Sequence, residues 1–208
     1  MLLCDIGNTS YHFLEKDNDY KKNVKRFSPS SVKEKIYYIS VNIKVNILLK
    51  DLENWIDLAP FVDKKNYYET MGMDRIFACE AIQNGVIIDA GSAITVDIVK
   101  GGIFQGGFIY AGIKAMNQTY KNISPALDYS FNFNINLNTL PKNSQDALSY
   151  GYLKTLYNEV ISYNQNIYLT GGDAKKFKHI FPEATLYNPL IFDGMKKVLR
   201  EKKLEFML

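Results

Sequence analysis

Two short runs of residues have the types and spacing that could handle a nucleotide. The first is Asp5-Ile6-Gly7-Asn8-Thr9-Ser10, the second Asp89-Ala90-Gly91-Ser92-Ala93-Ile94-Thr95. In each, an apolar segment (Leu2–Cys4 or Val86–Ile88) runs into Asp-x-Gly, then small side chains, then a second apolar segment. Glycine lets a backbone come close to a phosphate, and turn N–H groups aimed at one point make an anion site. Hydroxyl and amide side chains add donors. A carboxylate alone would repel phosphate, so it implies a cation between them, and Mg²⁺ takes one or two carboxylates together with phosphate oxygens. Asp-Gly clusters are also ordinary turn chemistry. Their recurrence at matching positions is what points to a duplicated unit, with two turns gripping the phosphates of one nucleotide. Neither a Walker A run nor a G-x-G-x-x-G run competes for this role.

Such turns need strands to carry them. Leu2–Asp5, Ser10–Leu14 and Lys22–Phe27 read as a strand meander, and Lys35–Val41 as a further apolar strand. Ile47–Leu58 carries Leu48, Leu49, Leu52, Trp55 and Ile56 at helical spacing. Asp74 is placed to cap a helix that Gly85 is placed to stop. From Val86, three strands separated by Gly-rich turns lead into a helix from about Ile113. Leu127–Leu140 is Asn-rich and reads as a loop or short irregular strands; Ser144–Ser162 is helical. Gln165–Thr170 is a strand ending in Gly171-Gly172-Asp173, followed by a helix, a short strand near Ala184–Tyr187 and a final helix. On that last helix the basic run Lys196–Lys203, with Val198, Leu199 and Leu204, is a solvated face. The expected domains are 1–84 and 85–208, packed on each other because no low-complexity linker separates them.

Composition excludes several kinds of function. The 208 residues are 47% hydrophobic and 23% charged, enough to bury a core and stay soluble. A net charge of +3 without a basic stripe argues against a nucleic-acid partner. Cys4 and Cys79 lie in no zinc or C-x-x-C spacing and read as small buried hydrophobes. With His12 and His179 the only histidines, a Ser-His-Asp or histidine-metal site is nearly excluded on supply. No stretch reaches the roughly 18 apolar residues of a membrane span, and Asp5 arrives before a signal-peptide core could form. A cytoplasmic protein with no membrane partner is expected.

Taken in order, the motifs resemble those of type III pantothenate kinases, within the acetate and sugar kinase/Hsp70/actin superfamily. They are Asp5-Ile6-Gly7-Asn8-Thr9, Gly72-Met73-Asp74-Arg75, Asp89 to Thr95, and Gly106-Gly107-Phe108-Ile109-Tyr110-Ala111-Gly112. Weaker matches follow at Asn143–Leu148 and Thr170-Gly171-Gly172. The chain is short for the family and most resembles the compact ε-proteobacterial versions. The resemblance implies an α/β fold of two packed RNase H-like (actin-like ATPase) domains with a nucleotide cleft between them. It also implies an ATP-dependent kinase that converts pantothenate to 4'-phosphopantothenate, the first step of coenzyme A biosynthesis.

Residue by residue, the resemblance places Asp5, Ile6, Gly7, Asn8, Thr9, Ser10, Tyr11 and His12 at ATP, with Asp5 toward its Mg²⁺. Gly72, Met73, Asp74 and Arg75 bind pantothenate, with Asp74 as catalytic base. Asp89 holds a monovalent cation, K⁺ or NH₄⁺, and Ser92 touches ATP where the family usually has Thr. Gly171 and Gly172 let the backbone pass near the nucleoside, and Ser144 contacts pantothenate from a partner subunit, so a homodimer is expected. An apolar face of the following helix, with Ala147, Leu148, Tyr152 and Leu156, suits either a dimer contact or the subunit's own core. The family's substrate-binding Tyr precedes an Asn-Pro that this chain lacks; in "NYYETMGMDR" Tyr68 takes that role, with Tyr67 the competitor. Arg75 neutralises substrate charge or forms a surface ion pair. Two other readings stay open: another small-molecule kinase of the superfamily, or a non-catalytic regulator resembling Bvg accessory factor.

Overall fold

The computed structural model describes residues 1–203, so the expectation for Leu204 lies outside the described residues. The chain opens with β1 (Leu2–Ile6), β2 (Ser10–Glu15) and β3 (Asn18–Asn23). Next come β4 (Ile36–Ser40), α1 (Ile43–Leu49), β5 (Trp55–Asp57) and α2 (Met73–Glu80). A second series runs β6 (Asn84–Ala90), β7 (Ala93–Lys100), β8 (Ile103–Ala111), α3 (Ile113–Ile123) and α4 (Ser144–Ser162). It continues through β9 (Ile167–Thr170), α5 (Ala174–Phe177) and β10 (Thr185–Leu186) to the final helix α6 (Leu190–Glu201). The architecture is α/β, as expected, with two mixed five-stranded sheets.

The duplication expected from the two Asp-x-Gly runs extends to whole sheets. The first has the order β3-β2-β1-β4-β5; the second, read from its other edge, is β8-β7-β6-β9-β10. In both, an antiparallel meander is followed by two strands parallel to its first strand. Each aspartate therefore sits near the end of a central strand, where apolar neighbours on both sides hold the backbone.

By contacts the chain forms two compact units, Met1–Ile82 with the segment from Pro189, and Gln83–Asn188. The first break lies beside the expected boundary at 84, but the last helix groups with the first unit instead of the second. The reason is a close crossing of α6 on α2. A side chain at Gly194 would put its Cβ 1.8 Å from the Phe77 carbonyl oxygen, so only glycine lets the two backbones touch. Around that crossing α6 buries Leu190, Phe192, Met195, Val198 and Leu199, consistent with an amphipathic helix facing a core.

In the first unit, Cys4 and Ile6 share one sheet face with Tyr11, Phe13, Ile36, Tyr38 and Trp55, and α1 covers it through Val45 and Leu49. Two expectations change here. Ile47–Leu58 is not one helix: α1 stops at Leu49, and Trp55–Asp57 pairs parallel with β4. Trp55 is drawn into the sheet because its ring meets Tyr38, Phe13 and Tyr11 edge-on, and its indole N–H donates to Pro29 O at 3.3 Å. The third strand begins at Asn18, not Lys22, because a two-residue turn pairs Glu15 with Asn18. In the second unit, Val86, Ile88 and Ala90 join Ile94, Val96 and Ile98 under Tyr152, Leu153, Leu156 and Val160 of α4.

The segment 127–140, expected as a loop or short irregular strands, holds a regular alternation. Phe131, Phe133, Ile135 and Leu137 alternate with Asn132, Asn134, Asn136 and Asn138. The apolar members pack on the second-unit core. The asparagines turn back on their own backbone: Asn134 N donates to Asn132 Oδ1 at 2.9 Å and Asn138 N to Asn136 Oδ1 at 2.8 Å. These local bonds compete with a ladder, so the alternation gives an ordered strap without strand pairing.

Candidate active site

The first unit presents the turn after β1. Gly7 N donates to Ser10 O at 3.0 Å, which leaves Asn8 and Thr9 exposed at the tip. Asn42 caps α1 through Val45 N at 3.2 Å and also donates to Gly7 O at 3.4 Å, tying helix and turn together. Asp5 is half-buried two residues before the glycine, in register with His12. The structure does not bring Tyr11 and His12 to the tip with their neighbours. Tyr11 is buried, edge-on to Phe27 and Trp55, and burial pushes its phenol to about 12. His12 donates to Asp19 at 2.9 Å and stands edge-on to Phe192, with burial lowering its pKa.

Also in the first unit, α2 begins with Gly72 as its N-cap. Asp74 was expected in that position; it occupies the first turn instead, and its Oδ1 accepts from Arg75 N at 2.8 Å. Space for that carboxylate comes from Gly72, where a methyl would lie 2.5 Å from Asp74 Oδ1. Burial pushes the Asp74 carboxyl above its ordinary value, against the opposing pull of the Arg75 N–H and guanidinium. Arg75 is only 6% exposed, so the surface ion-pair reading does not hold. Its guanidinium donates to the Tyr68 hydroxyl and lies 5.7 Å from the centre of that ring. Tyr67 turns the other way and donates to Glu80 Oε1 at 2.9 Å. Tyr68 is therefore the tyrosine that meets Arg75.

In the second unit the equivalent turn is tighter. Gly91 N donates to Ala93 O at 3.0 Å, with Ser92 exposed at the tip. Gly171, immediately after β9, has φ +91°, and a Cβ there would sit 2.3 Å from Asp89 Oδ1. Only glycine fits, since the left-handed backbone and the carboxylate both exclude a side chain. The next backbone N–H but one, that of Asp173, donates to Ala90 O at 2.9 Å and locks this turn against β6. By contrast, Gly7 and Gly172 have no positive φ, and a Cβ at either would meet nothing closer than 3.8 Å. The fold itself does not demand glycine at those two positions.

The residues around Asp89 fit a monovalent cation. Asp89 lies directly across the ladder from Thr95 on β7 and from Thr170 on β9. Paired residues on neighbouring strands bring their Cβ atoms about 4.5–5.5 Å apart on one face. The Thr95 hydroxyl is buried with no hydrogen-bond partner, an arrangement that invites a ligand. One carboxylate flanked by neutral oxygens balances a single positive charge. Among the described residues no group of three or more His, Cys, Asp or Glu side chains is gathered for a metal ion. Thr95 closes the second Asp-x-Gly run, and the hairpin register Asp89↔Thr95 is the signal that points to it.

Ser144 is exposed at the first position of α4. Its neighbour Asn143 caps the helix by accepting from Asp146 N at 2.9 Å and donates to the Asp146 carboxylate at 2.7 Å. Tyr152 and Leu156, on the helix face considered for a dimer contact, are buried within the same chain, while Ala147 stays exposed.

The chain matches the family model of type III pantothenate kinase over residues 53–165. It is 58% identical to the type III pantothenate kinase of Sulfurimonas denitrificans, covering 98% of this chain and 100% of that one. Against the type III pantothenate kinase of Campylobacter jejuni the identity is 41%, over 97% of each. A crystal structure from Campylobacter jejuni, assigned to the Baf family of transcriptional activators, superposes with a TM-score of 0.88 at 40% identity, covering 98% and 99%. The fold alone recurs at 10% identity in a Sinorhizobium meliloti structure assigned as a 2-dehydro-3-deoxygalactonokinase (TM-score 0.57, 96% and 98% covered). Full-length relatives of this size at such identity leave no ambiguity: the chain belongs to the type III pantothenate kinase family.

Proposed function

We propose that this chain transfers the γ-phosphoryl group of ATP to the primary hydroxyl of pantothenate, giving 4'-phosphopantothenate and ADP in the first step of coenzyme A biosynthesis. The observation that supports it best is a carboxylate of raised pKa, Asp74, beside a buried arginine at the start of α2. Asp74 orients the hydroxyl and accepts its proton as the new P–O bond forms and the bond to the β-phosphate breaks. Arg75, held by Tyr68, supplies fixed positive charge for the substrate carboxylate, and its low exposure keeps that charge from being screened by water. The turn Gly7–Ser10 and the hydroxyl of Ser92 position the phosphates, and Gly172 gives the nucleoside room. Mg²⁺ carried in with ATP near Asp5, and K⁺ or NH₄⁺ near Asp89 with Thr95 and Thr170, would offset triphosphate charge.

Phosphorylation of pantothenate by the purified protein, strictly dependent on ATP and detected by product mass, tests this reading. A panel of other hydroxyl acceptors separates it from another kinase activity of the same fold. The regulator reading takes support from the Baf assignment of the Campylobacter jejuni structure; retention here of Asp5, Asp74 and Asp89 together favours chemistry. We place the protein in the cytoplasm; among the described residues no helix is long and apolar enough to cross a membrane. A homodimer is part of the proposal, with Ser144 reaching the partner's pantothenate. Because Tyr152 and Leu156 are used inside the subunit, the contact must rest on other residues. A concentration-independent monomer mass in a fully active preparation would refute it.

A further inference from the structure

The segment Val62–Gly72 carries Tyr68 to Arg75, and most of it is exposed. Val62 and Met71 are buried at its two ends. Between them, across 63–70, every residue is exposed except Tyr67. Its backbone bonds are local turns, Tyr67 N to Lys64 O and Met71 N to Tyr68 O, both 3.0 Å. The middle of the segment is therefore fastened to α2 by two consecutive side chains that reach opposite ends of the helix. Tyr68 meets Arg75 near its start, and Tyr67 meets Glu80, its last residue.

Glu80 is in turn gripped from the far end of the sequence. Lys197 of α6 donates to Glu80 Oε2 at 2.8 Å, while Tyr67 donates to Oε1. Both charged side chains are largely covered, Glu80 at 17% exposure and Lys197 at 29%. An ion pair so placed is screened less than a surface pair, and its geometry is fixed because α6 lies directly on α2 at Gly194 and Phe77. A cavity of about 330 Å³ lies beside these contacts, lined by Lys64, Tyr67, Tyr68, Glu69, Met71 and Ile76. That size suits a small organic ligand.

We infer that Glu80 and Lys197 are positioning residues for the acceptor substrate: the relay Lys197–Glu80–Tyr67 holds the 62–72 segment on α2 so that Tyr68 stays on Arg75 and the cavity keeps its shape. This rests on the pantothenate kinase reading. Lys197 and Glu80 lie outside the lining of the cavity and act on it only through Tyr67. Tyr67 thereby has its own use for a hydroxyl, the bond it donates to Glu80 Oε1.

The test uses the full chain with Lys197→Met, Glu80→Gln and Lys197→Arg. Lys197→Met keeps the apolar stem and removes the donor. Two measurements are made on each: steady-state kinetics for pantothenate and ATP, and hydrogen–deuterium exchange of the 62–72 segment without substrates. The expected result for Lys197→Met and Glu80→Gln is a KM for pantothenate raised about three- to tenfold, the range of one hydrogen bond's net worth. The kcat at saturating pantothenate and the KM for ATP should hold, and exchange across 62–72 should speed up. Lys197→Arg, which restores a donor, should recover most of the loss. A merely structural role would lower Tm without this split between KM and kcat. Unchanged exchange and unchanged KM in both variants would overturn the inference, as would faster exchange with no change in KM. If the wild-type protein fails to phosphorylate pantothenate, the kinase reading falls, and the exchange measurement still decides the relay: unchanged exchange sinks it.

Discussion

Replacing Asp74 by Asn separates a catalytic base from a helix-stabilising residue, and the structure sets the size of both effects. Asp74 does not cap α2; Gly72 does, with no side-chain cap bond. What Asp74 gives the helix is a negative charge in its first turn and an acceptor for Arg75 N at 2.8 Å. Asn keeps the acceptor. It loses the charge at the helix start, worth about 0.3–1 kcal/mol, but also removes a carboxylate whose ionisation is opposed by burial. These oppose each other, so net stability should move by less than about 1 kcal/mol, a few degrees at most in Tm for a chain of this size. Loss of general-base assistance should lower kcat by about 10²–10⁴, about 2.7–5.4 kcal/mol in the barrier at 1.36 kcal/mol per decade. The kinetic effect thus exceeds any stability effect several-fold. The pH dependence supplies a second check. Because the folded pKa is raised above 3.8, the protonated form favours folding. That contribution is complete below the unfolded pKa and is lost as pH rises through the folded one. The Asn variant should therefore gain stability relative to wild type as pH rises across that window. In kinetics, wild-type kcat/KM should fall on the acid side as Asp74 takes up its proton, and the variant should lack that limb. Turnover of pantothenate by Asp74→Asn within a few-fold of wild type would refute the assignment of Asp74 as base.

Other expected outcomes follow from neighbouring geometry. Gly72→Ala places a methyl 2.5 Å from Asp74 Oδ1 and should cost about tenfold or more in kcat with little change in Tm, since an ångström of misplacement at a reacting group is expensive; normal kcat would mean the carboxylate position is immaterial. Gly7→Ala meets only ordinary contacts and should leave Tm within a degree or two while raising the KM for ATP, whereas Gly171→Ala, at φ +91° and 2.3 Å from Asp89 Oδ1, should destabilise the protein outright; the reverse pattern in thermal melts would contradict the phosphate role of Gly7. Replacing choline by K⁺ at constant ionic strength should raise the wild-type Tm through linkage, and Asp89→Asn or Thr95→Val should abolish that rise; an equal K⁺ effect in the Thr95 variant would remove its hydroxyl from the site.

Much of this protein is legible in sequence because its chemistry is local. Asp5 to Thr9 and Asp89 to Thr95 are short runs whose recurrence can be read directly from the sequence, and both lie at the ends of central strands. Ser144–Ser162 is a helix with its cap beside it at Asn143, so its bounds agree with the sequence reading to the residue. The family resemblance followed from those same local runs. What the tertiary structure decided depends on partners distant in sequence. Trp55 leaves a helical pattern for a strand because aromatic rings from β2 and β4 receive it. Which of Tyr67 and Tyr68 meets Arg75 depends on which end of α2 each one reaches. Thr95 faces Asp89 only once the hairpin register is set. The final helix joins the first unit because Gly194 lies against the backbone of Phe77, more than a hundred residues away in sequence. A propensity or a turn motif is written in neighbouring residues; burial, register and a close backbone crossing exist only when the chain has folded back on itself.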